Sequence, residues 1–188
     1  MCRYAISGPH KCHYACFSCR KAFKQPPIDD YFASRGQNRN AYAELAEVWR
    51  TGDKYELQRR ESVLKARLEE LEGEYRAAVR KCPECGEPMV DMGLDFKAPR
   101  QADAKAWRIV QGMCKTGHAF HTCGCVGPGW IPQSSSDYSA YLEKYKSIYS
   151  NELRFVQNRQ DLANERKKEA AEYWATRIEA IELEISRT

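Results

Sequence analysis

Two pairs of cysteines carry the clearest chemistry in the chain. Cys16 and Cys19 stand in HYACFSCRKAFK, residues 13–24, and Cys82 and Cys85 in KCPECGEPMVD, residues 81–91. A gap of two residues lets a tight turn aim both thiolates at one ion while backbone N–H groups in the turn hydrogen-bond the sulfurs. Two such turns facing each other close a tetrahedral four-thiolate site, with Zn–S near ~2.3 Å. The competing chemistry is a redox dithiol, which opens a helix after a strand in a βαβ setting. Pro88 and the extended-looking MVDMGLDF do not supply that setting. Two separate sites, one for each pair, are the remaining arrangement.

A second donor-rich stretch is CKTGHAFHTCGC, which holds Cys114, His118, His121, Cys123 and Cys125. Were 119–125 extended, His121, Cys123 and Cys125 would share one face, because side chains repeat every second residue along a strand. Cys2, or Cys12 or His13, would complete a second four-ligand set from the N-terminal segment. The plainer reading is that these thiols are buried as small hydrophobes.

The cysteine pairs need elements to aim them. Each is preceded by a short extended lead-in and followed by alternating residues, Arg20-Lys21-Ala22-Phe23 and Glu87-Pro88-Met89-Val90, so each reads as strand, turn, strand. Gly86 supplies the backbone freedom such a turn uses. CPECG closely resembles the knuckle of zinc-ribbon proteins. That resemblance covers residues 13–24 and 81–98 and implies one structural zinc on Cys16, Cys19, Cys82 and Cys85. The chain departs from the pattern twice: Arg20 stands where glycine is common, and 62 residues separate Cys19 from Cys82. An inserted helical excursion whose ends return to one place would reconcile the gap. The stretch from Cys82 to Trp130, with MGLDFKAPR and HTCGCVGPGW, is also similar to bacterial proteins with no assigned activity, and implies none here.

The excursion, residues 40–81, reads as helix with an interruption at Thr51-Gly52-Asp53. Leu57, Leu64, Leu68, Leu71, Tyr75 and Ala78 then fall on an alternating 3/4 spacing, with polar Glu61 at the one missing position. That is a coiled-coil seam. A short helix is expected from about Asp103 to Met113, with Ala106, Trp107, Val110 and Met113 on one side. GPGW and IPQSSSD form a linker, and Asp137 or a preceding serine caps the next helix. Tyr138 to Ser186 contains no proline or glycine, and Leu142, Tyr149, Val156, Ala163 and Ala170 repeat every seven residues. Trp174, Ile178, Ile181 and Ile185 continue the stripe with a shifted phase. One helix of about 50 residues would run about 75 Å and must pack on something.

The expected fold is therefore mainly α with a small β metal module. Residues 1–39 and 82–135 form a composite zinc-ribbon module, 40–81 an inserted helical arm, and 136–188 a long helix packed on the arm as an antiparallel coiled-coil hairpin. The composition suits this. Hydrophobic residues are 43% and charged residues 30%, and mean hydropathy is −0.72, polar enough for long exposed helices. Met1-Cys2-Arg3 begins no apolar leader, and no stretch reaches the ~18 apolar residues of a membrane span. The expected compartment is the cytoplasm, where clustered thiols bind metal more often than they form disulfides.

Net charge is +4, and the excess is local: residues 1–39 hold seven Lys/Arg against two Asp/Glu, while 40–81 balance nine against nine. Arg3, Lys11, Arg20, Lys21, Lys24, Arg35 and Arg39 form a basic segment around the first cysteines, and Tyr4, Tyr14, Phe17 and Phe23 offer stacking faces. Catalysis finds little support. There is no HExxH, no HxE with PCxxC and no phosphate-cradling glycine loop. A zinc-dependent hydrolase on His118, His121, Cys123 and Cys125 would need an open ligand position and a nearby base. An N-terminal Cys2 nucleophile would need α/β content that the chain lacks. The expectation is a non-catalytic zinc-binding protein that binds nucleic acid, RNA or a ribosome surface first. The alternative is an adaptor that holds a protein partner or a second copy through its long helices. No membrane partner is expected.

Overall fold

The computed structural model describes residues 11–36, 38–118, 120, 129–161 and 163–188. It is mainly helical, with a small antiparallel sheet. The compact units part between Ala98 and Pro99, and Pro99–Phe120 groups with Gly129–Thr188. The 82–135 stretch expected as one piece is therefore divided, and the short helix near 103–113 belongs with the C-terminal helices.

The first unit is organised by three short strands, β1 (His13–Cys16), β2 (Lys21–Lys24) and β3 (Val90–Gly93), in the order β2-β1-β3. β1 pairs antiparallel with β2, His13 opposite Lys24 and Cys16 opposite Lys21. β3 lies on its other side, antiparallel, with a register shift at His13/Tyr14. β1 is thus central, and Tyr14, Ala15 and Cys16 are all buried.

Between β2 and β3 the chain makes its excursion through α1 (Ile28–Arg35), α2 (Arg39–Thr51), α3 (Lys54–Leu64) and α4 (Leu68–Val79). Tyr31, Phe32, Tyr42, Leu45, Ala46, Leu68 and Leu71 form its core. The interruption expected at 51–53 is present: Gly52 ends α2 with φ 78°, and the Asp53 side chain caps α3 by accepting from Glu56 N–H. The seam through 57–78 is not continuous. Lys65 takes φ 51° and ends α3, and Ala78 is exposed while Val79 is buried. Glu61, the polar residue in the seam, explains the break. Its carboxylate accepts the Leu68 N–H at 2.9 Å, satisfying a donor at the start of α4 that the broken helix leaves open.

The neck of the excursion is pinned shut. The Tyr75 hydroxyl donates to the Pro26 carbonyl at 2.9 Å, joining α4 to the segment that leaves β2. Val79 then packs with Tyr14, Cys16, Cys82 and Met89. The sequence departure of 62 residues is closed by this small cluster.

The second unit holds α5 (Ala104–Lys115), α6 (Ser135–Asn158) and α7 (Asn164–Ile185). α5 follows the expected helix closely, with Asp103 as its cap. Ser134 and Asp137 form a reciprocal capping box at the start of α6. The single long helix expected over 138–186 does not form. It stops at Asn158, and α7 returns along α6. Leu142, Tyr149 and Val156 are buried, as is Ile181 of α7, so the helix finds its partner within its own unit. The seven-residue repeat runs through Ala163 and Ala170 without marking the turn, and its phase shift before Trp174 lies inside α7. Lys146–Glu182 at 2.8 Å and the Tyr138 hydroxyl donating to Glu184 at 3.0 Å cross the pair. Among the described residues, no helix is long and apolar enough to cross a membrane.

Candidate metal centre

Cys16 ends β1, Cys19 lies in the turn to β2, and Cys82 and Cys85 flank the turn that leads into β3. The four sulfurs lie within 4.8 Å of one another. Cys16 Sγ and Cys85 Sγ are 3.6 Å apart, and Cys82 Sγ and Cys19 Sγ 4.0 Å. A tetrahedral ion with Zn–S near ~2.3 Å sets its sulfurs about 3.8 Å apart, so the observed spacing fits one ion held by all four. A disulfide needs about 2.0 Å, and all four are free thiols. One shared site is therefore geometrically available, where sequence left two separate sites open.

The two turns share one backbone plan. Cys19 N–H points at Cys16 Sγ at 3.4 Å, and Gly86 N–H closes the second turn onto the Cys82 carbonyl at 3.0 Å. The residue after each pair has positive φ, 53° at Arg20 and 77° at Gly86. Arg20 thus performs the turn that the glycine performs in the other knuckle. Lys81 and Pro88 form an isolated bridge, and Met89 N–H donates to the Arg80 carbonyl at 2.6 Å. A salt bridge between Lys21 and Glu84 at 2.5 Å links the two knuckles side by side.

The thiols are not equivalent. Burial pushes the Cys82 thiol up, but the backbone N–H groups of Cys85 and Glu84 and the neighbouring thiols bring it down to about 7. Cys19 is raised, chiefly by its contact with Cys85 and then by burial. Burial also raises Cys16. The metal-free cluster therefore favours a thiolate at Cys82 over one at Cys16 or Cys19. A divalent ion overrides that preference by drawing the protons off.

The expected second set, His121, Cys123, Cys125 and Cys2, lies outside the described residues, as do Arg3 and Tyr4. Of its neighbours, Cys114 is half-buried and its thiol is pushed up to about 11 by burial, the behaviour of a packed thiol. His118 packs edge-on against Phe120, Tyr141 and Tyr145. Cys12 is half-buried and also raised by burial, and His13 is lowered by burial and by Lys24.

The basic residues divide. Lys11, Arg20, Lys24 and Arg39 are exposed. Lys21 is engaged by Glu84, and Arg35 lies over the Tyr31 ring at 4.4 Å. Two lysines on the edge strand β2 also serve to discourage edge-to-edge pairing, whatever else they bind. Tyr14 is buried and Phe23 packs on the same cluster, so neither offers the free stacking face expected of it. Arg80 and Lys81, both exposed, join the module from the end of the excursion. Charge counting hid them, because they fall in a stretch whose charges cancel. No protein-family model, no curated protein and no solved structure matches the chain.

Proposed function

We propose that the chain is a non-catalytic zinc-binding protein of zinc-ribbon type, and that its metal module binds a nucleic-acid backbone. The observation that carries the metal reading is the four-sulfur cluster at tetrahedral spacing, formed by two cysteine pairs with 62 residues between them. Four protein thiolates fill a tetrahedral ion and leave no position for a reacting water, which is the pattern of a structural site. Cys16, Cys19, Cys82 and Cys85 would hold the ion, and its charge would offset the crowding of four thiolates. The small sheet buries few apolar side chains, so a metal cross-link supplies much of what a core would.

The nucleic-acid reading rests on charge placed around that module. Lys11, Arg20, Lys24, Arg80 and Lys81 are exposed there, and RNA or a ribosome surface is the favoured partner. The test is nucleic acid retained by the purified zinc-loaded protein at rising salt. Phosphate binding should weaken ~10³-fold or more between 50 and 200 mM salt if six or more phosphates are contacted. Charge reversal at Lys24 and Lys81 should flatten that slope. No retained nucleic acid at 50 mM salt would end this reading. A second reading, a protein adaptor with a structural zinc, is favoured by Trp49, Tyr55 and Val63, which are 63%, 79% and 67% exposed on α2 and α3. Loss of partner binding on Trp49→Ala, with zinc retained, would support it.

A further inference from the structure

The four thiols differ in access. Cys16 and Cys82 are buried and Cys19 is half-buried, while Cys85 is exposed. Cys85 Sγ lies 3.6 Å from Cys16 Sγ, across the two knuckles. Thiolates that are accessible and stand beside a second thiol are those that peroxides oxidise first.

We infer that the site is a peroxide-responsive cross-link: a hydroperoxide enters at Cys85, Cys16 resolves it, and the metal tie between the two hairpins is exchanged for a Cys16–Cys85 disulfide. This rests on the zinc reading above. The chemistry balances with hydrogen peroxide as the named oxidant. The Cys85 thiolate attacks one peroxide oxygen, the O–O bond breaks, and the departing hydroxide takes a proton to become water. Cys85 is left as the sulfenic acid. The Cys16 thiolate then attacks that sulfur, the S–S bond forms, the S–O bond breaks, and a second hydroxide leaves as water after taking a proton. Two thiolates lose two electrons in all, and one peroxide is reduced to two waters. Only Cys19 and Cys82 then remain as ligands, too few to close the site, so the ion departs. A second peroxide can join Cys19 to Cys82, which lie 4.0 Å apart.

The pairing decides the consequence. A disulfide within one knuckle would leave the 13–24 and 81–93 segments without a covalent tie once the metal left, held only by the β1–β3 pairing and the packing around Val79. A disulfide between knuckles keeps them joined across the 62-residue excursion. The module would then lose its ion, and the charge that ion carries, without coming apart.

The experiment begins by measuring zinc in the purified full chain, then adds hydrogen peroxide stepwise, with a zinc-sensitive dye in solution. Samples are alkylated and mapped by non-reducing peptide mass spectrometry. The expected result is one zinc released per one to two peroxides, with the Cys16–Cys85 cross-linked peptide forming first. Peptides joined as Cys16–Cys19 or Cys82–Cys85, or a Cys85 sulfinic acid without any cross-link, would overturn the inference. A chain purified without zinc, and unable to take it up, would overturn the metal reading. The peptide map would then still decide the pairing on the free thiols.

Discussion

Arg20 and Gly86 occupy equivalent places after their cysteine pairs and share left-handed backbone, with φ 53° and 77°. That conformation costs an L-residue ~1–2 kcal/mol and costs glycine almost nothing. Arg20→Gly therefore removes about 1–2 kcal/mol of strain while returning ~0.4–1 kcal/mol of chain entropy to the unfolded state. The balance is a gain of about 0.5–1 kcal/mol. Gly86→Ala runs the same arithmetic backwards. The nearest heavy atom to an added Cβ is Lys81 Cε at 3.8 Å, an ordinary contact, so no clash contributes and the loss is about 0.5–1 kcal/mol. Where closing of the knuckle is coupled to ion binding, these energies appear in full in the apparent zinc affinity. A change of ~0.7 kcal/mol is about threefold. Competition against a chelator should show zinc held about threefold more tightly in Arg20→Gly and about threefold less tightly in Gly86→Ala. Arg20→Ala is the control, since it removes the charge and keeps the strained backbone. If Arg20→Ala gains as much as Arg20→Gly, or if Gly86→Ala binds like the parent, backbone strain is not what separates the two knuckles.

Cys85→Ser should lower zinc content by about one ion per chain, and limited proteolysis should then cut within 11–24; zinc loss with that segment still protected would refute the shared site. Zinc affinity should also fall with acidity. The metal-free fold lowers the Cys82 thiol from its ordinary value near 9 to about 7, a stabilisation fully present above about 9 and lost as pH falls through about 7. One further proton must therefore be displaced below about 7, and a chelator competition from pH 6 to 8 should steepen there. In the second unit, a Cβ on Gly112 would overlap the Tyr138 hydroxyl and the Glu184 carboxylate. Gly112→Ala should break their hydrogen bond and cost about 1–3 kcal/mol, read as a lowered thermal midpoint; an unchanged midpoint would show that the two side chains move aside freely.

Local chemistry was legible in the sequence wherever one residue type or a short spacing carries it. The CxxC turns, the break at Gly52, the start of α5 near Asp103 and the Ser134–Asp137 cap of α6 all rest on groups within a few residues of one another. The apolar repeat also named Leu142, Tyr149 and Val156 of the buried side chains of α6, and missed Tyr138 and Tyr141. Where helices end without proline or glycine, the sequence was silent. Arg159 leaves α6 in an extended conformation, and Lys65 ends α3 in a left-handed one. Lysine disfavours the left-handed conformation, and nothing local marks Arg159 for its extended one. α6 ends because α7 returning along it buries Tyr149, Val156 and Ile181, and the α3–α4 break holds because Glu61 satisfies Leu68 N–H. Those contacts join residues far apart in sequence, and no local pattern encodes them. The metal site divides the same way. The donor types and their two-residue spacing were fixed by sequence alone. Whether a 62-residue excursion would bring the second pair back within 4 Å of the first was decided by Tyr75, Val79 and Met89 closing its neck, a matter of tertiary packing.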